Sequence, residues 1–332
     1  MIVYVVAAHL AHTLARALPL LGPDLAARVR IATYDTLLRQ RRWPAAHYIF
    51  AELESLPPDL LARAEAAWRR LEAHGAGMRL LNDPARVKAR YELLRTLAAA
   101  GRNDYGVYRL DEAREPRRFP VFLRAANDHD GPIGDLIDNA RDLAGAVERL
   151  AATGCFRTDR LIVEFAAVAD ADGLFRKYGA YVVGGAIVPE HMYAGAHWML
   201  KPGSNQRAGA RPLDRAAIAR EELAYVRANP HAEALRAIAA LARIDYGRID
   251  YGLAGGRVQV WEINTNPDPD LGPDPPGVVR AAETRAHFVA AFRAALLAID
   301  TPIAAGGRVL VRPRKWRWLR RWTRTAGPSP SG

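Results

Sequence analysis

Six consecutive apolar residues, IVYVVA at 2–7, predict a buried strand, and residues 9–20 behind them predict a helix. RVRIATYD (28–35) alternates polar and apolar positions as a strand does, and AHYIFAEL (46–53) supplies a third strand-like run. PPDLLARAEAAWRRLEAHG (57–75) is marked as a helix by prolines at its entry, apolar residues at helical spacing and a glycine at its exit. MRLLNDP (78–84) reads as a short strand running into a turn. Strand and helix patterns alternate, so residues 1–84 are expected to form a small open α/β domain.

Beyond residue 84 the pattern is mixed. ARVKARYELLRTLAAA (85–100) reads as an amphipathic helix closed by Gly101. YGVYRL (105–110) and FPVFLRA (119–125) read as strands, NDHDGPIGD (127–135) as a turn-rich loop, and 135–153 as a helix. RLIVEFAAV (160–168) is a buried strand, DADG (170–173) a tight turn, and 175–192 one or two strands. Helices over 220–244, a hairpin with strands at 246–252 and 257–263, and a long helix at 278–298 follow. No internal repeat is visible.

At 332 residues, two or three packed units are expected. The single cysteine, Cys155, excludes an internal disulfide and a cysteine-built zinc site, and fits a reducing, cytoplasmic setting. His9, His12 and Arg16 interrupt the apolar start, which argues against a signal peptide. No run of 18 apolar residues is present to span a membrane. The net charge is +11, but Arg308 to Arg324 holds eight basic residues and no acid, leaving +3 elsewhere. Basicity therefore belongs to a tail, and no specific nucleic-acid partner is expected. Only four of the 47 basic residues are lysine: Lys88, Lys177, Lys201 and Lys315. A lysine kept in so arginine-rich a chain hints that a compact ammonium is wanted there.

The candidate chemistry sits in the hairpin RIDYGLAGGRVQVWEINTNPD (248–268). If its register allows, Asp250 and Glu262 lie side by side, and adjacent carboxylates repel unless a cation or proton sits between them. Asn264, two residues past Glu262, shares its face and completes an all-oxygen set suited to Mg²⁺ or Mn²⁺. Spacing alone leaves open whether these residues hold a metal or serve the turn.

GRIDY…VWEINTNP (247–267) resembles the metal-binding signature of the ATP-grasp superfamily, which includes the D-alanine–D-alanine ligases. The resemblance runs in order over about 85–298. It implies an ATP-grasp fold over 85–300: two α+β subdomains gripping ATP, a lid at about 102–165 and a C-terminal subdomain at 166–300. The open α/β domain precedes them and a basic tail (301–332) follows. It makes Asp250, Glu262 and Asn264 ligands of Mg²⁺ (or Mn²⁺) bridging the ATP phosphates, and Arg248 a catalytic cation. Lys88, on the helix at 85–100, and Arg124 are implied as phosphate contacts; Arg124 departs from the usual lysine. His129 in the following loop is a candidate for the γ-phosphate or substrate. Glu164, Phe165 and Ala166 would read the adenine edge, and Asp172 (or Asp170) would hold the ribose. FRKYGAYVV resembles the family's strand that carries a basic residue towards the phosphates, which makes Arg176 and Lys177 both candidates, but only one can face the site on a strand. Lys201 is a further candidate. Asn266, next to a proline, is expected in a turn or on the substrate side.

The resemblance implies a ligase that activates a small-molecule or peptide carboxylate as an acyl phosphate and joins it to an amine, releasing ADP and phosphate. A phosphotransferase and a non-catalytic nucleotide-binding protein carry the same motifs. The tail RPRKWRWLRRWTR interleaves tryptophan with arginine, a pattern suited to peripheral contact with an anionic surface. Nothing fixes the oligomeric state, and a dimer is compatible with the sequence.

Overall fold

A computed structural model describes residues 1–75, 77–112, 115–127, 131–154, 159–200, 213–269, 271–272, 280–304 and 307–311. The strands are β1 (Ile2–Val6), β2 (Val29–Thr33), β3 (Arg42–Pro44), β4 (His47–Phe50), β5 (Leu80–Leu81), β6 (Val107–Arg109), β7 (Val121–Ala125), β8 (Pro132–Ile137), β9 (Arg160–Glu164), β10 (Phe175–Val183), β11 (Ala186–Gly195), β12 (Tyr246–Ala254), β13 (Arg257–Asn264) and β14 (Arg308–Leu310). The helices are α1 (His12–Ala17), α2 (Pro23–Ala26), α3 (Tyr34–Arg39), α4 (Pro58–His74), α5 (Arg90–Ala99), α6 (Ala140–Ala152), α7 (Arg215–Ala228), α8 (Ala232–Ala242) and α9 (Ala282–Leu297).

The apolar start becomes the middle of a parallel sheet ordered β2-β1-β4-β5. All five residues of β1 are buried because both faces are covered. Ile2, Tyr4 and Val6 join a core with α9 and the C-terminal sheet, while Val3 and Val5 face α3 and α4. The helix expected at 9–20 is broken into short turns, with Pro19 in a 3-10 segment. Leu310, at the start of the basic tail, lies in β14, which pairs with β3 beside this first sheet.

The second sheet, β6-β9-β7-β8, is antiparallel. One of its strands, β8, occupies Pro132–Ile137, so the expected loop at 127–135 ends in a strand and the helix starts later, at Ala140. Asn139 caps that helix by accepting from the Asp142 backbone N–H at 3.0 Å. The third sheet, β11-β10-β12-β13, is also antiparallel. One face packs on α7 and α8, and the other on β1 and α9.

Asn82 locks the first sheet to the third. Its side-chain amide donates to the carbonyls of Phe50 (3.0 Å) and Tyr246 (2.7 Å) and accepts from the N–H groups of Asp245 and Tyr246 (both 2.9 Å). All four hydrogen-bonding positions of the amide are thus used, with no exposed surface. Its left-handed backbone (φ 64°) is one that asparagine tolerates better than most residues. Asn82→Ala leaves several buried backbone groups unpaired and is expected to cost about 3 kcal/mol, read as a lower urea midpoint of unfolding.

Candidate active site

Two strand rows build the site. In the first, His191, Gly179, Asp250 and Glu262 stand opposite one another across β11, β10, β12 and β13. In the second, Val188, Tyr181, Arg248 and Asn264 do the same. Residues directly opposed in a sheet point to the same face. Asp250, Glu262, Asn264 and Arg248 therefore share one face, with Lys177 two residues from Gly179.

Two of the three strand pairings are broken once beside the first row. The register shift between Gly179 and Ala180 leaves Glu190 as an extra residue, and the shift between Asp250 and Tyr251 leaves Trp261 as another. Such bulges turn consecutive side chains toward one side. Glu190 and His191 meet each other, His191 Nδ1 lying 2.9 Å from Glu190 Oε2, and Trp261 and Glu262 both line one cleft.

The carboxylates are bracketed by cations. Lys177 Nζ lies 2.8 Å from Asp250 Oδ2, and Arg248 Nε donates to Asp250 Oδ1 at 2.8 Å. Arg90 Nη2 donates to Glu262 Oε2 at 2.6 Å, and Arg124 Nη2 lies 3.7 Å from the same oxygen. Burial raises the Asp250 carboxyl, but Arg248 and Lys177 outweigh it and hold the group below the usual range, even with Glu262 alongside. Asn264 Oδ1 accepts from the Asn266 backbone N–H at 2.7 Å. Among the described residues no group of three His, Cys, Asp or Glu side chains could hold a metal; the candidate set is two carboxylates and an amide. That donor set fits a hard cation whose remaining ligands come from water and phosphate oxygens.

The cleft lies between the second and third sheets and encloses about 1010 Å³ with its open mouth included. Arg124, Lys177 and Glu262 form its charged wall. Phe122, Phe165 and Trp198 form an aromatic wall, with ring centroids 5.3 Å (Phe122–Trp198) and 5.4 Å (Phe165–Trp198) apart. Glu164, Phe165 and Ala166 lie at the passage from β9 into the linker and all border the cleft.

Several expectations need correction or narrowing. Lys88 is not on a helix: Asp83 accepts from the Ala85 N–H, a turn closes over 83–87, and α5 begins only at Arg90. Arg90, two residues on, reaches Glu262 alongside Arg124, and it was hidden in sequence because arginine is so common here. Arg176 borders the cleft, but its guanidinium is bound by Asp170, Asp172 and Glu221. Of Arg176 and Lys177, Lys177 is the one that reaches Asp250. Asp172 accepts from Arg176 and the Leu174 N–H, and the first holds its carboxyl down to about 2. The Glu164 carboxylate accepts from Tyr108 Oη and from the N–H groups of Gly106 and Arg117. Burial opposes its ionisation, but these bonds hold its pKa below the ordinary range. His129 and Lys201 lie outside the described residues. Asn266 points away from the metal set: its Oδ1 accepts from Tyr4 Oη (2.7 Å) and Thr13 Oγ1 (2.9 Å).

The loop after β13 meets the first sheet. Thr265 N–H donates to Glu54 at 2.8 Å, and Leu53 N–H donates to Thr265 Oγ1 at 3.2 Å. The carboxyl ends of β1 and β4, where strand order reverses, therefore face the site, as ligand crevices do in open α/β sheets. Phe122, Trp198 and Arg90 were not foreseen, since an isolated aromatic or arginine reads in sequence as core or surface.

No family model matches the sequence, and neither does any curated protein. Solved structures do. D-alanine–D-alanine ligase from Bacillus anthracis complexed with ATP is 11% identical, with 90% of this chain and 96% of that one covered, at a TM-score of 0.50. The ATP-grasp ligase PsnB with its minimal precursor is 14% identical, with 90% and 99% covered, at 0.49. D-cycloserine synthetase DcsG is 17% identical, with 89% and 100% covered, at 0.45. At these identities the likeness concerns the fold, and the ligase from B. anthracis carries it: the chain has the ATP-grasp fold.

Proposed function

We propose that the chain is an ATP- and Mg²⁺-dependent ligase that activates a carboxylate as an acyl phosphate and passes it to an amine, with release of ADP and phosphate. The observation that carries this reading is the opposed pair Asp250 and Glu262, flanked by basic side chains beside a cleft between two sheets. Asp250, Glu262 and Asn264 would hold Mg²⁺ or Mn²⁺, which supplies positive charge to the nucleotide phosphates. Lys177, Arg90 and Arg124 exchange their carboxylate partners for phosphate oxygens. Phe122, Phe165 and Trp198 receive the adenine, and the backbone at 164–166 reads its edge. A substrate carboxylate oxygen attacks the γ-phosphorus and ADP leaves; the amine then attacks the acyl carbon and phosphate leaves. Arg248 stabilises the negative charge that builds up in both steps. The lid over the nucleotide is the subdomain at about 102–165, and the first sheet supplies the crevice for the acceptor.

We also propose that residues 308–324 make peripheral contact with an anionic surface. Exposed Arg39, Arg41, Arg42 and Arg308 lie where this segment leaves the body, which supports that reading. No helix among the described residues is long and apolar enough to cross a membrane.

Amino acids and peptides screened in pairs should give ADP and phosphate only when an acceptable carboxylate is present. AMP as product, or a phosphorylated product with no amide, would overturn the ligase reading. Glu262→Gln should abolish turnover while the protein keeps its thermal midpoint within a few degrees. Mg²⁺ alone should leave Trp198 and Trp261 fluorescence unchanged, because Lys177 and the arginines already compensate both carboxylates, whereas Mg²⁺ with ATP should change it. Vesicles containing phosphatidylserine should sediment the protein and phosphatidylcholine vesicles should not, an effect lost on deletion of 312–332.

A further inference from the structure

Glu190 and His191 take no part in the chemistry above, yet they are among the most buried polar residues of the third sheet, 2% and 3% exposed. Glu190 Oε2 lies 3.1 Å from Arg248 Nη1 and 2.9 Å from His191 Nδ1. Burial opposes the Glu190 charge, but Arg248 and His191 keep the group ionised. Burial also holds the His191 imidazole neutral, so its Nδ1–H donates to the Glu190 carboxylate.

Two backbone features serve this contact. The bulge at Glu190 turns both residues to the face that carries Arg248. The second feature is Gly179, opposite His191. A Cβ there would stand 2.4 Å from His191 Cε1, so only glycine leaves room for the ring. An apolar pair of similar volume would pack here without burying a charge, and commonly at no loss of stability. What the polar pair accomplishes is contact with Arg248.

Arg248 has two other anchors, Asp250, through Nε at 2.8 Å, and more loosely the Asp268 carbonyl, which accepts from Nη1 at 3.3 Å. On the reading proposed above, Asp250 is a metal ligand, and a carboxylate shared with a divalent cation holds a guanidinium less firmly. We infer that Glu190, locked by His191, is a positioning residue that keeps the Arg248 guanidinium aimed at the transferred group once Asp250 is committed to the metal. This rests on the proposed function, and it assigns the Glu190–His191 pair a role that the metal and phosphate contacts leave unfilled.

The test uses the full chain and follows cleft tryptophan fluorescence in titrations with MgADP alone and with MgADP plus aluminium fluoride, a mimic of the phosphoryl group in flight. The wild-type protein should gain affinity when fluoride is added. Glu190→Gln should bind MgADP within about twofold of wild type but lose about tenfold of the fluoride-dependent gain, the scale of one charged hydrogen bond. Arg248→Ala should lose the gain too, and the double variant no more than Arg248→Ala alone, as coupling through one residue requires. His191→Phe, which keeps the ring but removes the Nδ1 donor, should show a smaller loss in the same quantity and covers the case in which Glu190→Gln does not fold. A full gain in Glu190→Gln, losses that add independently, or an equal weakening of MgADP would overturn the inference. A wild-type protein that binds no MgADP would overturn the nucleotide reading and this inference with it, whereas a wild-type response matched by the variants would overturn this inference alone.

Discussion

Asp250 and Glu262 face each other directly across β12 and β13, and two ionised carboxylates so placed repel unless positive charge stands beside them. That single constraint accounts for much of the surrounding arrangement. Lys177 comes from β10, Arg248 from β12, Arg124 from β7 and Arg90 from the first turn of α5. Four elements from two sheets and a helix thus converge on one pair of acids. Arg90 and Arg124 tie the second sheet side of the cleft to the third, so the charge balance of the site is also a contact between its two walls.

The sheet that carries the pair is irregular where the chemistry is. Both register shifts lie next to the row His191–Gly179–Asp250–Glu262. A regular ladder would send alternate residues to opposite faces, giving one side chain per two residues to the site. The bulges at Glu190 and Trp261 add a side chain on each flank, one polar and held against Arg248, one aromatic and in the cleft. On the far side, Thr265 and Asn266 bind the first sheet through Leu53, Glu54, Tyr4 and Thr13. Asn82 adds a further connection close by, at the start of β12, the end that pairs with Asn264. The first sheet is therefore fastened to the strands that bear the candidate metal residues and does not merely precede them in sequence.

Much of this was legible in the residues. The hairpin follows from spacing and a turn, and the shared faces of Arg248 with Asp250 and of Glu262 with Asn264 follow from strand period, but that Asp250 stands opposite Glu262 was decided by the bulge at Trp261, since an unbroken ladder from the turn would set Asp250 opposite Trp261. The long helix at 57–75 and the buried first strand were equally plain, because pattern and end signals agree there. The start of α5 was not legible: the Asp83 turn overrides an amphipathic pattern that extends upstream, and so Lys88 was placed on a helix and Arg90 passed over. The strand at Pro132–Ile137 was hidden by its proline and glycine, which read as loop until β7 pairs with it. Glu221 of α7 as a partner of Arg176, and Gly106, Tyr108 and Arg117 as partners of Glu164, were also beyond the sequence, because they lie far along the chain from the residues they bind.

What the sequence determined by itself was local: which residues alternate, where helices stop, and which oxygen-bearing side chains share a strand face. Those are consequences of backbone period and turn chemistry, carried within a dozen or so residues. Tertiary structure alone decided which cation meets which carboxylate, that Lys177 and not Arg176 reaches Asp250, and that Glu190 stands behind Arg248. Each of these depends on strand register between segments far apart in the chain, and a shift of one residue, such as each bulge introduces, exchanges the faces of every side chain beyond it.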